Sequence, residues 1–142
     1  MKNIIATAMF SVCCCVFANA QCDKKSVLTS SKTEFLNGSN ELQQTKDEAV
    51  TINFDKGTII IDIQGDHEEH MTGEIKSNQC NWPDPYKQGS SVMKVAMTDH
   101  DNVKNVTMTL EGKDGVVTLL VVLDDEPERR IKVKADSFKE LL

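Results

Sequence analysis

Val106-Thr107-Met108-Thr109-Leu110-Glu111-Gly112-Lys113-Asp114-Gly115-Val116-Val117-Thr118-Leu119-Leu120-Val121-Val122-Leu123 is the stretch whose reading decides the fold. Val106, Met108 and Leu110 alternate with more polar residues, the period of a strand with one face buried. Lys113-Asp114-Gly115 then interrupts the run. An Asp-Gly pair between two strand-like segments signals a two-residue hairpin turn, because both central positions need positive φ. Residues 116–123 are apolar on both faces, which predicts a central strand. The predicted unit is a tight antiparallel hairpin.

The pattern recurs in both directions from this hairpin. Residues 50–54 place Val50, Ile52 and Phe54 on one face, and Asp55-Lys56-Gly57 turns the chain into 58–63, where Ile59, Ile61 and Ile63 share a face. Residues 91–98 carry Met93, Val95 and Met97 in the same way. The first segment, 27–36, ends at Asn37-Gly38-Ser39-Asn40, with 41–45 returning from that turn. Segments 71–77 and 129–135 complete the set. The polar stretches 64–70, 78–90, 99–102 and 124–128 read as connections, and 136–142 reads as a last helical turn too short to stand alone. About eight strands on short turns must be antiparallel neighbours, since a parallel crossover needs a dozen or more residues. The prediction is an all-β antiparallel meander forming a small up-and-down barrel or half-barrel, with a two-sheet β-sandwich as the alternative.

Composition narrows the function classes. The chain has 142 residues, 27% charged and 39% hydrophobic, which excludes a disordered acidic tail and a multi-span membrane protein. Residues 1–20 read as a signal peptide: Lys2, an apolar run over 4–17, then Ala18-Asn19-Ala20 as a small-x-small cleavage site. A run of that length is short of the roughly 20 residues that span a bilayer. Cleavage would leave Gln21 first and a single domain over 21–142. Without Lys2 the mature part has 15 basic against 22 acidic residues, a charge near −7, so no nucleic-acid partner is expected. The expected location is exported, periplasmic or secreted, with no stable membrane insertion after cleavage. Lipoprotein anchoring is the competing reading, but Cys13, Cys14, Cys15 and Cys22 follow Val, Cys, Cys and Gln rather than a small residue.

Two cysteines remain after cleavage, Cys22 and Cys80, and two thiols in an oxidising compartment are expected to pair. The alternative is two free thiols. No Cys-x-x-Cys lies in the mature part, so a redox motif has no support.

Three clusters could carry chemistry. Asp66-His67-Glu68-Glu69-His70 offers His67, His70 and Asp66 as metal ligands, although histidines three apart do not fit the His-Glu-x-x-His helix motif. Such histidines converge only in a turn, and the plainer reading is a solvated hairpin tip. Asp99-His100-Asp101 is a second acidic turn with a histidine, and it could join the first if both lie at one end of a barrel. Asn81-Trp82-Pro83-Asp84-Pro85-Tyr86 sets two aromatics on a proline-stiffened loop, so Trp82 and Tyr86 are candidate ligand-binding residues. Its alternative is a loop folded back with Trp82 as a plug in the barrel mouth. No Gly-x-Ser-x-Gly and no phosphate-binding loop is present, so no catalytic residue and no cofactor are assigned.

In strand order and turn spacing the mature chain resembles the lipocalin-like small barrels of exported proteins, without their Gly-x-Trp near the first strand. The all-β pattern and the aliphatic inward stripes point to a non-catalytic binding module for a small apolar ligand. The alternative reading is an envelope interaction or structural protein that binds another protein or a glycan. A metal-assisted hydrolase using His67, His70 and Asp66 stands third.

Overall fold

The computed structural model describes residues 20–142, so the expectations placed on the signal segment lie outside the described residues. After a short 3-10 turn, η1 (Ala20–Asp23), nine strands follow: β1 (Ser26–Leu36), β2 (Leu42–Asp55), β3 (Thr58–Gln64), β4 (Glu68–Asp84), β5 (Gln88–Asp99), β6 (Asn102–Lys113), β7 (Val116–Leu123), β8 (Glu126–Lys134) and β9 (Ser137–Glu140). Every pairing is antiparallel between chain neighbours from β1 to β8. β1 closes the barrel by pairing β2 on one edge and β8 and β9 on the other. The fold is a closed eight-stranded up-and-down barrel with one added strand, and the sandwich alternative is set aside.

The alternating stripes of the sequence become its interior. Leu28, Ile52, Ile59, Val95, Met108 and Leu119 are fully buried, each opposite another inward residue on the next strand. The Asp114-Gly115 turn has φ of 52° and 81°, the geometry that the residue pair predicts. Charged side chains such as Lys94, Glu111 and Lys134 are exposed on the outer face. An apolar inside with a charged outside is the reverse of a membrane barrel.

Three expectations about segments are corrected. Residues 42–45 and 50–54 are parts of one continuous strand, β2, with an irregularity opposite Ser30 and Lys32, and Glu41 lies before it. The connections expected at 64–70 and 78–90 shrink, because β4 runs for 17 residues and leaves only 85–87 as a loop. Its alternation is hidden by an extra residue at Lys76, which switches the inward set from Met71, Gly73 and Ile75 to Asn78, Cys80 and Trp82. Pro83 sits in a second bulge, where a missing N–H costs no ladder bond. The expected helical turn at the C-terminus is instead β9, whose Phe138 pairs with Leu28. β8 and β9 run along β1 as one course, broken at Ala135 and Asp136, where the Asp136 amide donates to the Thr29 carbonyl at 2.7 Å.

Candidate functional site

The two ends of the barrel differ. One end holds η1, the C-terminus and the turns after β2, β4 and β6, and it is sealed. The Trp82 indole is 3% exposed and donates from Nε1 to Ser91 Oγ at 2.8 Å. Its ring lies over Gly89 and Gly112, which pair with each other; a Cβ on Gly112 would come within 2.5 Å of the indole. Phe138 stands at the centre of the seal, with ring centroids 4.9 Å from Tyr86, 5.8 Å from Trp82 and 6.1 Å from Phe54. Tyr86 has φ 64°, a backbone state disfavoured for a bulky residue. It is held there by its hydroxyl on Ser26 Oγ at 3.0 Å and by its amide, which donates to Gln21 Oε1 at 2.6 Å.

Trp82 and Tyr86 therefore plug and strap this end, and the indole is not displayed as a recognition loop would display it. The Cys22–Cys80 disulfide is formed, with Cα atoms 6.0 Å apart, and pins η1 across the same end. Beneath it lies a cavity of about 40 Å³ lined by Ser26, Asn78, Cys80, Ser91 and Met93 among others. That volume suits a water or two and no drug-sized ligand, which needs about 300 Å³ or more.

The other end is open. It carries the turns after β1, β3, β5 and β7. Inward positions here include Phe35, Ile63, Met71, Val121, Leu123 and Ile131, all only half-buried, with the polar Gln44, Lys46 and Glu69 paired to Phe35, Thr33 and Ile63. Register places them in the barrel: Met71 faces Ile61, Leu123 faces Val106, Val121 faces Met108, and Ile131 stands between Val121 and Phe35. The Lys46 ammonium lies 5.3 Å from the Phe35 ring centroid. Two residues below Phe35 on the same face of β1, Thr33 is 4% exposed and its Oγ1 has no hydrogen-bond partner. This apolar mouth was missed in the sequence, since its residues look like any other core stripe.

The turns bearing His67 and His100 do fall at this open end. His70, however, lies on the outer face opposite Asp62, and its Nδ1–H donates to the Asp62 carboxylate. Asp66 and His67 are exposed at the tip of the β3–β4 turn, and the exposed His100 lies 3.6 Å from Asp99. Among the described residues, no three His, Cys, Asp or Glu side chains are grouped so as to hold a metal ion.

By fold the chain falls in the class of closed up-and-down barrels, here with one end sealed and one open. No protein-family model, curated protein or solved structure matches it.

Proposed function

We propose that this protein is an exported, non-catalytic binding module that takes a small apolar ligand at the open end of its barrel. The observation that carries this reading is the asymmetry of the two ends. Aromatic rings and a disulfide cover the inward residues at one end, while six inward apolar side chains stay half-exposed at the other. Leu28, Ile52, Ile59, Val95, Met108 and Leu119 fill the deep interior, so the ligand seats on the mouth instead of threading the barrel. Covering about 200 Å² of apolar surface at about 25 cal/mol per Å² gives about 5 kcal/mol before the costs of association. That gross figure corresponds to about 0.2 mM, so the affinity should be no tighter than about that. A signal-like N-terminal segment and the disulfide support export.

Titration of the mature protein with the uncharged fluorescent probe N-phenyl-1-naphthylamine tests this reading. The wild type should enhance its emission saturably. Met71→Asp and Ile131→Asp should each weaken binding by about tenfold, because a carboxylate at the mouth resists desolvation. Gln88→Ala, in the turn region of the sealed end, should leave it unchanged. Saturable binding that survives both mouth variants would overturn the placement, and an absence of binding would overturn the reading itself.

A further inference from the structure

β2 pairs with β1 from Leu42 onward, but β3 reaches it only from Ala49, because β3 ends at Gln64. Among the described residues, 42–48 therefore have no strand on their second edge, and 42–47 are all exposed. Gly65 marks where the neighbour leaves: a Cβ there would stand 3.2 Å from that of Glu48. An edge of this kind presents a row of free N–H and C=O groups, a template for another strand.

The barrel has a comparable overhang at its other end, and the contrast is informative. β4 runs past its last β3 partner, Glu74, for ten residues, but η1 and the disulfide lie against that edge and Pro83 removes a donor from it. One overhang is covered and the other is left open.

The open edge has a definite electrostatic character. Asp47 and Glu48 lie on it, Asp66 stands in the adjoining β3–β4 turn, and Glu68 opens β4. Lys46, the one base on the edge, is drawn over the Phe35 ring. A second copy of this chain would bring two such acidic edges together, and like charges across a strand pair are unfavourable. We propose that residues 42–48 accept an extended, basic segment of another polypeptide as an added β-strand. Main-chain hydrogen bonds supply the affinity, and the acidic surround selects the partner. This surface uses backbone on β2 and does not depend on a ligand in the mouth.

The experiment is amide exchange followed by NMR on the ¹⁵N-labelled mature protein. The probe is the peptide acetyl-(Lys-Val)₃-Lys-amide. The expected result is that amides of 42–48 directed away from β1 exchange about tenfold more slowly when peptide is bound. N-methylation of alternate peptide nitrogens should abolish that protection, because it removes the added ladder. The acidic analogue, acetyl-(Glu-Val)₃-Glu-amide, should bind about tenfold more weakly, and Asp47→Lys with Glu48→Lys should narrow or reverse that preference. The proposal is overturned by an absence of binding at about 1 mM, which is weaker than any specific strand addition. It is also overturned if the N-methylated peptide binds equally, or if the perturbation is confined to Phe35, Ile63 and Met71. Protection of 42–48 in the peptide-free protein at dimer-forming concentrations would name a second copy as the occupant and would equally overturn it.

Discussion

Trp82 fits its slot only because two neighbouring strands carry glycine where their paths cross it. Gly112 would set a Cβ 2.5 Å from the indole and 2.9 Å from the Lys87 carbonyl oxygen, and backbone cannot retreat as a flexible side chain can. Gly89 adds a positive φ of 149° to the same close approach. Gly112→Ala should therefore cost about 1–3 kcal/mol through overpacking, read as a lowered urea midpoint with an unchanged slope. Trp82 is the chain's one tryptophan, so its fluorescence should also move to longer wavelength if the ring is displaced toward water. Thr33 argues in the opposite direction. Its hydroxyl is buried without a partner, and such a group costs about 1–3 kcal/mol of desolvation. Thr33→Val should stabilise the protein by about 1 kcal/mol in the same assay, whereas a loss of stability would mean that the hydroxyl is satisfied in solution.

The Cys22–Cys80 bond closes a loop with a sequence separation of 58, for which the chain-entropy relation gives about 4 kcal/mol. The gain should be smaller here, because η1 joins the barrel by few other ties: the Gln21 bond to Tyr86 and the packing against β4. Local release of η1 relieves the constraint without unfolding the barrel. Cys22→Ser with Cys80→Ser should thus lower unfolding free energy by about 2–4 kcal/mol in a denaturant titration. Strands with unbroken alternation, such as β5 and β6, are legible in the sequence because Met93, Val95 and Met97, and Val106, Met108 and Leu110, recur at period two. β4 is not, because its bulges shift the inward parity at Lys76 and again near Pro83, and a shift of one residue is invisible without the partner strand. β9 is a strand only because it completes the β1 edge, a contact made across the whole chain. Pairing of the two cysteines was legible from their number and expected compartment. From the sequence the Trp82 loop reads either as a displayed recognition loop or as a folded-back plug, since burial is decided by the bulge before it. The open mouth and the free β2 edge were not foreseen at all: both arise from strand stagger, a property of closure that no local window encodes.

Over the whole barrel, charge is divided as unevenly as burial. The open-end turns carry carboxylates in groups: Asp66 with Glu68, Asp99 with Asp101, and Asp124 with Asp125. The sealed end mixes signs, with Lys24 3.5 Å from Glu140 and Lys25 3.5 Å from Asp55. Folding draws the acidic turns to one rim, closer than they lie on an extended chain, and this self-repulsion opposes the native state. Salt weakens it, since the Debye length falls from about 30 Å at 0.01 M to about 8 Å at 0.15 M. Against this, salt also weakens favourable pairs at or near that end, Lys94 with Asp124 at 3.9 Å and Arg129 with Glu126 at 3.1 Å. Those pairs are largely exposed, and such pairs are worth at most about 1 kcal/mol each. Repulsion among the acidic turns should win. Raising sodium chloride from about 0.01 M to about 0.15 M should lift the calorimetric Tm by about 2–4 °C, the response to roughly 1 kcal/mol in a domain of this size. Neutralising one rim turn with Asp124→Asn and Asp125→Asn should reduce that rise. The same change at the sealed end, Asp114→Asn, should leave it intact. A Tm that falls with salt would instead give the balance to the ion pairs, and the acidic rim could not then be the dominant field a basic partner meets.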